Sequence, residues 1–342
     1  MCTACVISRW TRPHREPDQN NGMELAKSNM NGRVKLGVLS LVIAALACGC
    51  SIKRMAVKKV GDALAGSGGT FASDDDPELV KAAAPFSLKL MESLLETSPR
   101  HEGLLLATAS GFTQYAYAFV QQNADEAEDK DVNAATALRA RARRLYLRAR
   151  NYGLRGLKVR HPEFDEAFGR NPKVALGATS KKDVALLYWT AVSWAAAISV
   201  SKDNPQLIAD QPQVEALIDR ALQLDEAFDS GAIHAFLITY EMSRRGAEGD
   251  PVARARKHFN RAVELSGGQM AGPFVSLAEA VSVQGQDRAE FNSMLERALA
   301  INPDAKPEWR LANLVMQRRA RWLQHRADDL FLSPAGAEKT SP

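Results

Sequence analysis

The stretch RARKHFNRAVELSGGQMAGPFVSLAEAVSVQGQDRAEFNSMLERALAINP, residues 254–303, holds two copies of one spacing. In the first, Ala255, Phe259 and Ala262 stand small, large, small at steps of four and three. In the second, Phe291, Leu295 and Ala298 repeat those steps, and Pro303 follows five residues later. Steps of three and four place side chains on one helix face, where small residues let a neighbouring helix approach closely.

The spacing recurs upstream. Ser87, Met91 and Leu94 precede Pro99, Arg150, Leu154 and Leu157 precede Pro162, and Val214, Ile218 and Ala221 form a further copy. The last positions of the five copies, 94, 157, 221, 262 and 298, are separated by 63, 64, 41 and 36 residues. A tetratricopeptide repeat needs about 34. One copy would fit any amphipathic helix; five copies, three with an aligned proline, predict an all-α fold. That fold is a tetratricopeptide-like helical-repeat array, an α-α superhelix, with long insertions in its first two gaps.

The first helix of each unit then falls between these anchors. Leu105, Thr108, Ala109 and Phe112 mark one, and the apolar run 186–200 with Tyr188, Trp189 and Trp194 marks another. At fifteen residues that run is too short to cross a bilayer and long enough for a buried helix, with core packing weighed against an aromatic ligand platform. Residues 229–245 and 270–284 complete the set. Trp309 opens a last helix to about His325, whose Arg318, Arg319 and Arg321 read as the solvated face of a capping helix.

The N-terminus carries a different signal. Residues 1–29 are polar and precede a second plausible start at Met30. From there a basic segment leads into the apolar run 36–47 and then Cys48-Gly49-Cys50, in the order of a signal peptide. The ending Leu46-Ala47-Cys48-Gly49-Cys50-Ser51 resembles a bacterial lipobox, with Cys50 as the lipidated residue and Ser51 favouring the outer membrane over the inner. The expected organisation is an extension and lipoprotein signal over 1–49, a tether over 50–70, the helical domain over 71–332 and a polar tail over 333–342. In Ala-Ser-Asp-Asp-Asp-Pro-Glu, Asp76 reads as a helix cap before Pro77. A calcium loop is the sharper alternative, but the run lacks an EF-hand's alternating ligands.

Composition narrows the function. Residues 1–49 hold six Lys/Arg and three Asp/Glu of the chain's 44 and 40, which leaves 38 against 37 in the rest. That balance gives no reason to expect a nucleic-acid partner. The strongly basic stretch 139–160 reads as a polyanion patch or, more simply, as a long helix facing its own acidic segment 125–131. All four cysteines lie at positions 2, 5, 48 and 50, which removes disulfide scaffolds and cysteine metal sites from the remainder. No HExxH pair, phosphate loop or nucleophile elbow is present, so the reading is of a non-enzyme without metal or cofactor.

In a repeat array the concave groove is lined by first-helix positions. That register selects Thr113, Tyr188, His234, Glu241, Glu279, Ser282, Arg310 and Gln317, a mixed set suited to a peptide, a partner loop or a small solute. The same residues could equally be solvated or satisfied inside the stack.

The lipobox resembles that of the TatT family, the tetratricopeptide lipoproteins associated with TRAP transporters. So do Ala72-Ser-Asp-Asp-Asp-Pro-Glu-Leu79, Ser110-Gly-Phe-Thr-Gln-Tyr-Ala-Tyr-Ala-Phe119, Arg143-Arg-Leu-Tyr-Leu-Arg148 and Pro307-Glu-Trp-Arg310. The resemblance covers roughly residues 46–325. It implies a periplasm-facing lipoprotein that docks the periplasmic substrate-binding protein of a TRAP transporter, assists ligand transfer, and in some members forms a homotrimer. The second expectation is a lipid-anchored scaffold for cell-envelope assembly.

Overall fold

The computed structural model describes residues 58–66 and 68–332, so the extension, the signal sequence, Cys50 and the tail lie outside it. The described residues contain helices and no strand. The architecture rests on α1 (Pro77–Thr97), α2 (Glu102–Tyr115), α3 (Val132–Arg160), α4 (Val184–Ser199) and α5 (Gln211–Leu224), followed by α6 (Ala232–Tyr240), α7 (Pro251–Ser266), α8 (Ala271–Leu277), α9 (Arg288–Ala300) and α10 (Arg310–His325). Local chemistry sets several starts. Asp76, Asp131, Asp250 and Asp287 each accept a backbone N–H from the first turn of α1, α3, α7 and α9, and Pro77 and Pro251 open α1 and α7.

Helices pack in sequential pairs, α2 with α3, α4 with α5, α6 with α7 and α8 with α9. First helices also meet across pairs: α2 touches α4, α6 touches α8, and α8 touches α10. The anchor triplets Val214/Ile218/Ala221, Ala255/Phe259/Ala262 and Phe291/Leu295/Ala298 are all buried, as their spacing predicts.

In the two upstream copies the expected register is displaced. Arg150 and Leu154 are half-buried, and the buried stripe of α3 is Ala142, Tyr146, Ala149, Gly153, Gly156 and Leu157. Ala142, Tyr146 and Ala149 obey the same small, large, small steps eight residues earlier. Close approach explains the choice. A methyl group at Gly153 would overlap Thr190 Oγ1 of α4, and one at Gly156 would stand 2.6 Å from Leu186 Cδ2. In α1, likewise, Leu88, Met91 and Leu95 are buried while Ser87 and Leu94 are half-buried.

Two large apolar clusters result, each fully buried Leu or Ile in them contributing roughly 1.5–3 kcal/mol. The first spans α1 to α6, and the second runs from Ile238 to Phe331. α10 joins them: Leu311 and Val315 pack on the first, while Ala320 and Leu323 belong to the second.

One segment differs from expectation. Residues 58–66, placed in the tether by sequence, are helical, and Lys58 O lies 3.3 Å from His101 Nε2. The stretch 163–182, part of the long insertion in the second gap, folds into short helices Phe164–Arg170 and Pro172–Gly177 that bury Phe164, Phe168, Ala175 and Leu176. The rings of Phe164 and Phe168 stack with centroids 4.9 Å apart.

Gly153→Ala is expected to destabilise the fold by about 1–3 kcal/mol through overpacking of the α3–α4 contact. Gly177→Ala, whose added methyl meets nothing within 4 Å, serves as the neutral comparison. Urea midpoints of the two variants check this, and equal midpoints would remove the steric account of α3–α4 packing.

Candidate functional site

α2 does not stop at Tyr115. It widens into a π-helical turn at Ala116–Gln121 and resumes as a short helix at Gln122–Ala127; α8 widens likewise at Ala278–Ser282 and then ends in a turn. Such turns insert an extra residue, rotate the side chains that follow, and recur at functional sites. Here both lie beside α10.

α10 ties the two ends of the helical succession together. Its Arg310 donates to Ser73 O at 2.7 Å and lies 2.8 Å from the Asp304 carboxylate. Tyr117 in the first π turn donates its hydroxyl to Met316 Sδ at 3.6 Å. Gln317 donates to Ala298 O and Ile301 O at 3.1 and 2.7 Å, satisfying carbonyls left open at the end of α9. Arg318 donates to Asn123 Oδ1 at 2.8 Å and Glu126 at 2.6 Å. Arg319, with a side chain only 9% exposed, donates to Asp125 at 3.0 Å and to Glu279 in the second π turn. Its guanidinium also lies over the Trp322 ring, 4.2 Å from the centroid.

The electrostatics follow from burial. Burial pushes the Tyr117 hydroxyl up to about 12, with Arg319 acting against it. Burial likewise raises Asp125 above the usual carboxylate range despite Arg319. For Arg319 itself burial disfavours the charge, yet the Glu279 and Asp125 carboxylates outweigh it and hold its pKa above the ordinary value. Tyr146 donates to Gln121 Oε1 at 2.6 Å beside them.

A second polar cluster sits between α6 and α7. Glu241, buried, accepts from Arg244 at 3.0 Å and Arg254 at 2.6 Å. His234 Nδ1 lies 2.8 Å from His258 Nδ1, and His234 Nε2 lies 3.3 Å from Glu226. The carboxylate favours a proton on His234 Nε2, which leaves His234 Nδ1 to accept from His258 Nδ1–H. Burial, then the neighbouring His234, pushes His258 down to about 4. His234 is lowered by burial with Glu226 pulling the other way.

The structure therefore distributes the groove residues. Glu279, Ser282, Arg310 and Gln317 gather around α8, α9 and α10, with Ser282 donating to Glu290 at 2.7 Å. His234 and Glu241 share the α6–α7 cluster. Tyr188 is buried in α4 with its ring 5.4 Å from Phe228, so it packs in the core, and Thr113 is buried with its hydroxyl on Ala109 O at 2.7 Å. Sequence reasoning missed Tyr117, Asp125, Glu126, Arg318 and Arg319. The acidic run at 125–131 and the arginines of α10 were visible, but periodicity does not pair segments nearly two hundred residues apart. Arg318 and Arg319 are not a solvated face; of the three arginines expected there, only Arg321 is exposed. In the basic stretch Arg139 does face its acidic segment, bonding Glu128 at 2.5 Å.

Among the described residues no group of His, Cys, Asp and Glu is placed to hold a metal ion, and no helix is long and apolar enough to cross a membrane. The class is an all-helical protein of successive paired helices whose buried charges tie helix to helix. Over residues 73–331 the chain matches the family of TRAP transporter T-components, and it belongs to that family. It is also 29% identical over 305 residues to an uncharacterized protein of Treponema pallidum (strain Nichols), an alignment covering 84% of this chain and 94% of that one. Membership associates the protein with a TRAP transporter and the cell envelope, as an accessory component, and indicates no enzyme family.

Arg319→Met would remove the cation that Asp125 and Glu279 share, leaving Asp125 only Arg139 at 3.7 Å. It should cost about 3 kcal/mol, the low end for a broken buried pair because Glu279 is partly exposed. A urea midpoint equal to that of the parent would show that the closure does not depend on this arginine. The histidine pair has a pH signature of the opposite kind. The unfolded chain takes up a proton at His258 near pH 6.5 and the folded chain only near 4, so stability should fall as pH drops between those values. His258→Gln should flatten that part of the stability profile, as thermal melts from pH 7 to 4 would show.

Proposed function

We propose that the protein is a non-catalytic, lipid-anchored accessory of a TRAP-type solute transporter that docks the periplasmic substrate-binding component and assists ligand transfer. The family match over residues 73–331 is the observation that carries this reading. It covers the helices from α1 through α10, so their succession, rather than one motif, is shared. The alternation of pair contacts and first-helix contacts supports a tetratricopeptide-like superhelix whose first helices face the partner. Of the groove residues, Glu279 and Arg310 keep part of their side chains exposed, at 38% and 23%, and are the stronger candidates for partner contact. The anchor is the lipid on Cys50, directed to the outer membrane with the body facing the periplasm. A homotrimer is the expected assembly.

Mild cross-linking in the protein's own cells, detergent extraction and affinity capture should recover a periplasmic substrate-binding protein. Recovery of envelope-assembly proteins without any solute-binding protein would replace docking with the scaffold reading. Cys50→Ala should release the protein from the membrane fraction and abolish incorporation of labelled fatty acid; continued incorporation would reassign the anchor.

A further inference from the structure

Helix 58–66 is fastened to one end of the helical body. Gly61 is buried where an added methyl would stand 2.8 Å from His101 Nε2 and 2.9 Å from Leu104 Cδ1, and Leu64 packs on the cluster of Met91, Leu95, Leu104 and Leu105. α3 finishes at the same end, since Arg160 donates to Glu102 at 2.8 Å and to the carbonyl of Lys182. Val132, 65% exposed, opens the 29 residues of α3. It therefore lies about 42 Å away, at the opposite end.

The two ends differ in charge. Lys58, Lys59, Arg100 and Lys182 are exposed and form no ion pair among the described residues. Of the acids around them, Asp62 lies 3.2 Å from His101 Nε2 and Glu102 is held by Arg160, which leaves Glu96 and Glu163 uncommitted. Four free cations thus stand against two free anions, and Val60, 48% exposed, adds an apolar side chain beside Lys59. The far end carries the acidic run 125–131 immediately before Val132.

Chain length ties the basic end to the anchor. The residues between Cys50 and Lys58 include Lys53 and Arg54 and no acid. Fully extended, that stretch spans at most roughly 29 Å. A lipid on Cys50 keeps the basic end within that reach of the bilayer. Attraction between exposed charges fades over about 8 Å at physiological salt, so the end held near the surface is the one able to settle on it.

We infer that the end of the body carrying helix 58–66 docks on anionic phospholipid headgroups through Lys58, Lys59, Arg100 and Lys182, and turns the acidic start of α3 away from the bilayer. A weak electrostatic contact suffices, because the tether supplies a high local concentration and a basic patch adds a second signal to an acyl anchor. The inference rests on the Cys50 lipid proposed above and is independent of the transporter role.

The purified lipoprotein is reconstituted in vesicles of phosphatidylethanolamine with phosphatidylglycerol and, separately, of phosphatidylcholine. Because no cysteine follows Cys50, Val60→Cys and Val132→Cys each carry a single fluorophore, read against lipids with a headgroup quencher. With phosphatidylglycerol, quenching at position 60 should exceed that at position 132 and fall toward the phosphatidylcholine level as salt is raised. Lys58→Gln and Lys59→Gln should each lower the docking equilibrium about fivefold. Both side chains are exposed, so neither change disturbs the fold. Quenching at position 60 that is equal in the two vesicles, or unaltered by the lysine variants, would mean that the tether alone brings it near. That outcome overturns docking, while flotation of the protein with the vesicles still upholds the anchor. A protein that floats with neither vesicle loses the anchor and this inference together.

Discussion

A guanidinium removed from water must keep its carboxylates within reach, and this single requirement organises the helical body. Arg319 on α10 sits between Asp125, which follows the first π turn, and Glu279 inside the second. The isolated charge would be too costly to bury, so α10 can occupy its place only when both acidic segments are there to receive it. Its neighbours reinforce the same geometry, Arg318 on Glu126 and Arg310 on Ser73 O. A succession of helix pairs that would otherwise end in a free cap is thereby returned to its own first helices.

The π turns are what make the reach possible. An uninterrupted α2 would aim Gln122 and Asp125 about a quarter-turn away from where they lie, since one extra residue turns a helix by roughly 100°. The equivalent displacement in α8 presents Glu279 to the same arginine from the other side. Two helices from opposite ends of the chain therefore carry the same irregularity for the same purpose. The brace supplies direction that the hydrophobic contacts between helix pairs lack, because those contacts are themselves not directional.

The charged features of the chain have separate fates. The basic helix α3 spends Arg139 on Glu128 and Arg160 on Glu102 and Asp183, and keeps Arg144 for solvent. Glu241 and the histidine pair are consumed in holding α7 on α6.

Helix content, the paired succession and the buried triplets of the last three units were legible in the sequence, because a 3.6-residue period and small-large-small spacing act within one helix and its immediate neighbour. Asp76 announces its helix for the same local reason. The register of α3 was not legible: Ala142/Tyr146/Ala149 and Arg150/Leu154/Leu157 satisfy the same spacing, and only the proximity of Thr190 and Leu186 selects the stripe containing Gly153 and Gly156. The site divides in the same way. Sequence located Glu279, Arg310 and Gln317 on the right helices, yet it left Arg319 as a solvated cation. Composition along a chain carries no record of which opposite charges will meet across nearly two hundred residues. That pairing is decided by the tertiary structure, where burial raises the energy of an unpartnered charge enough to dictate its neighbour.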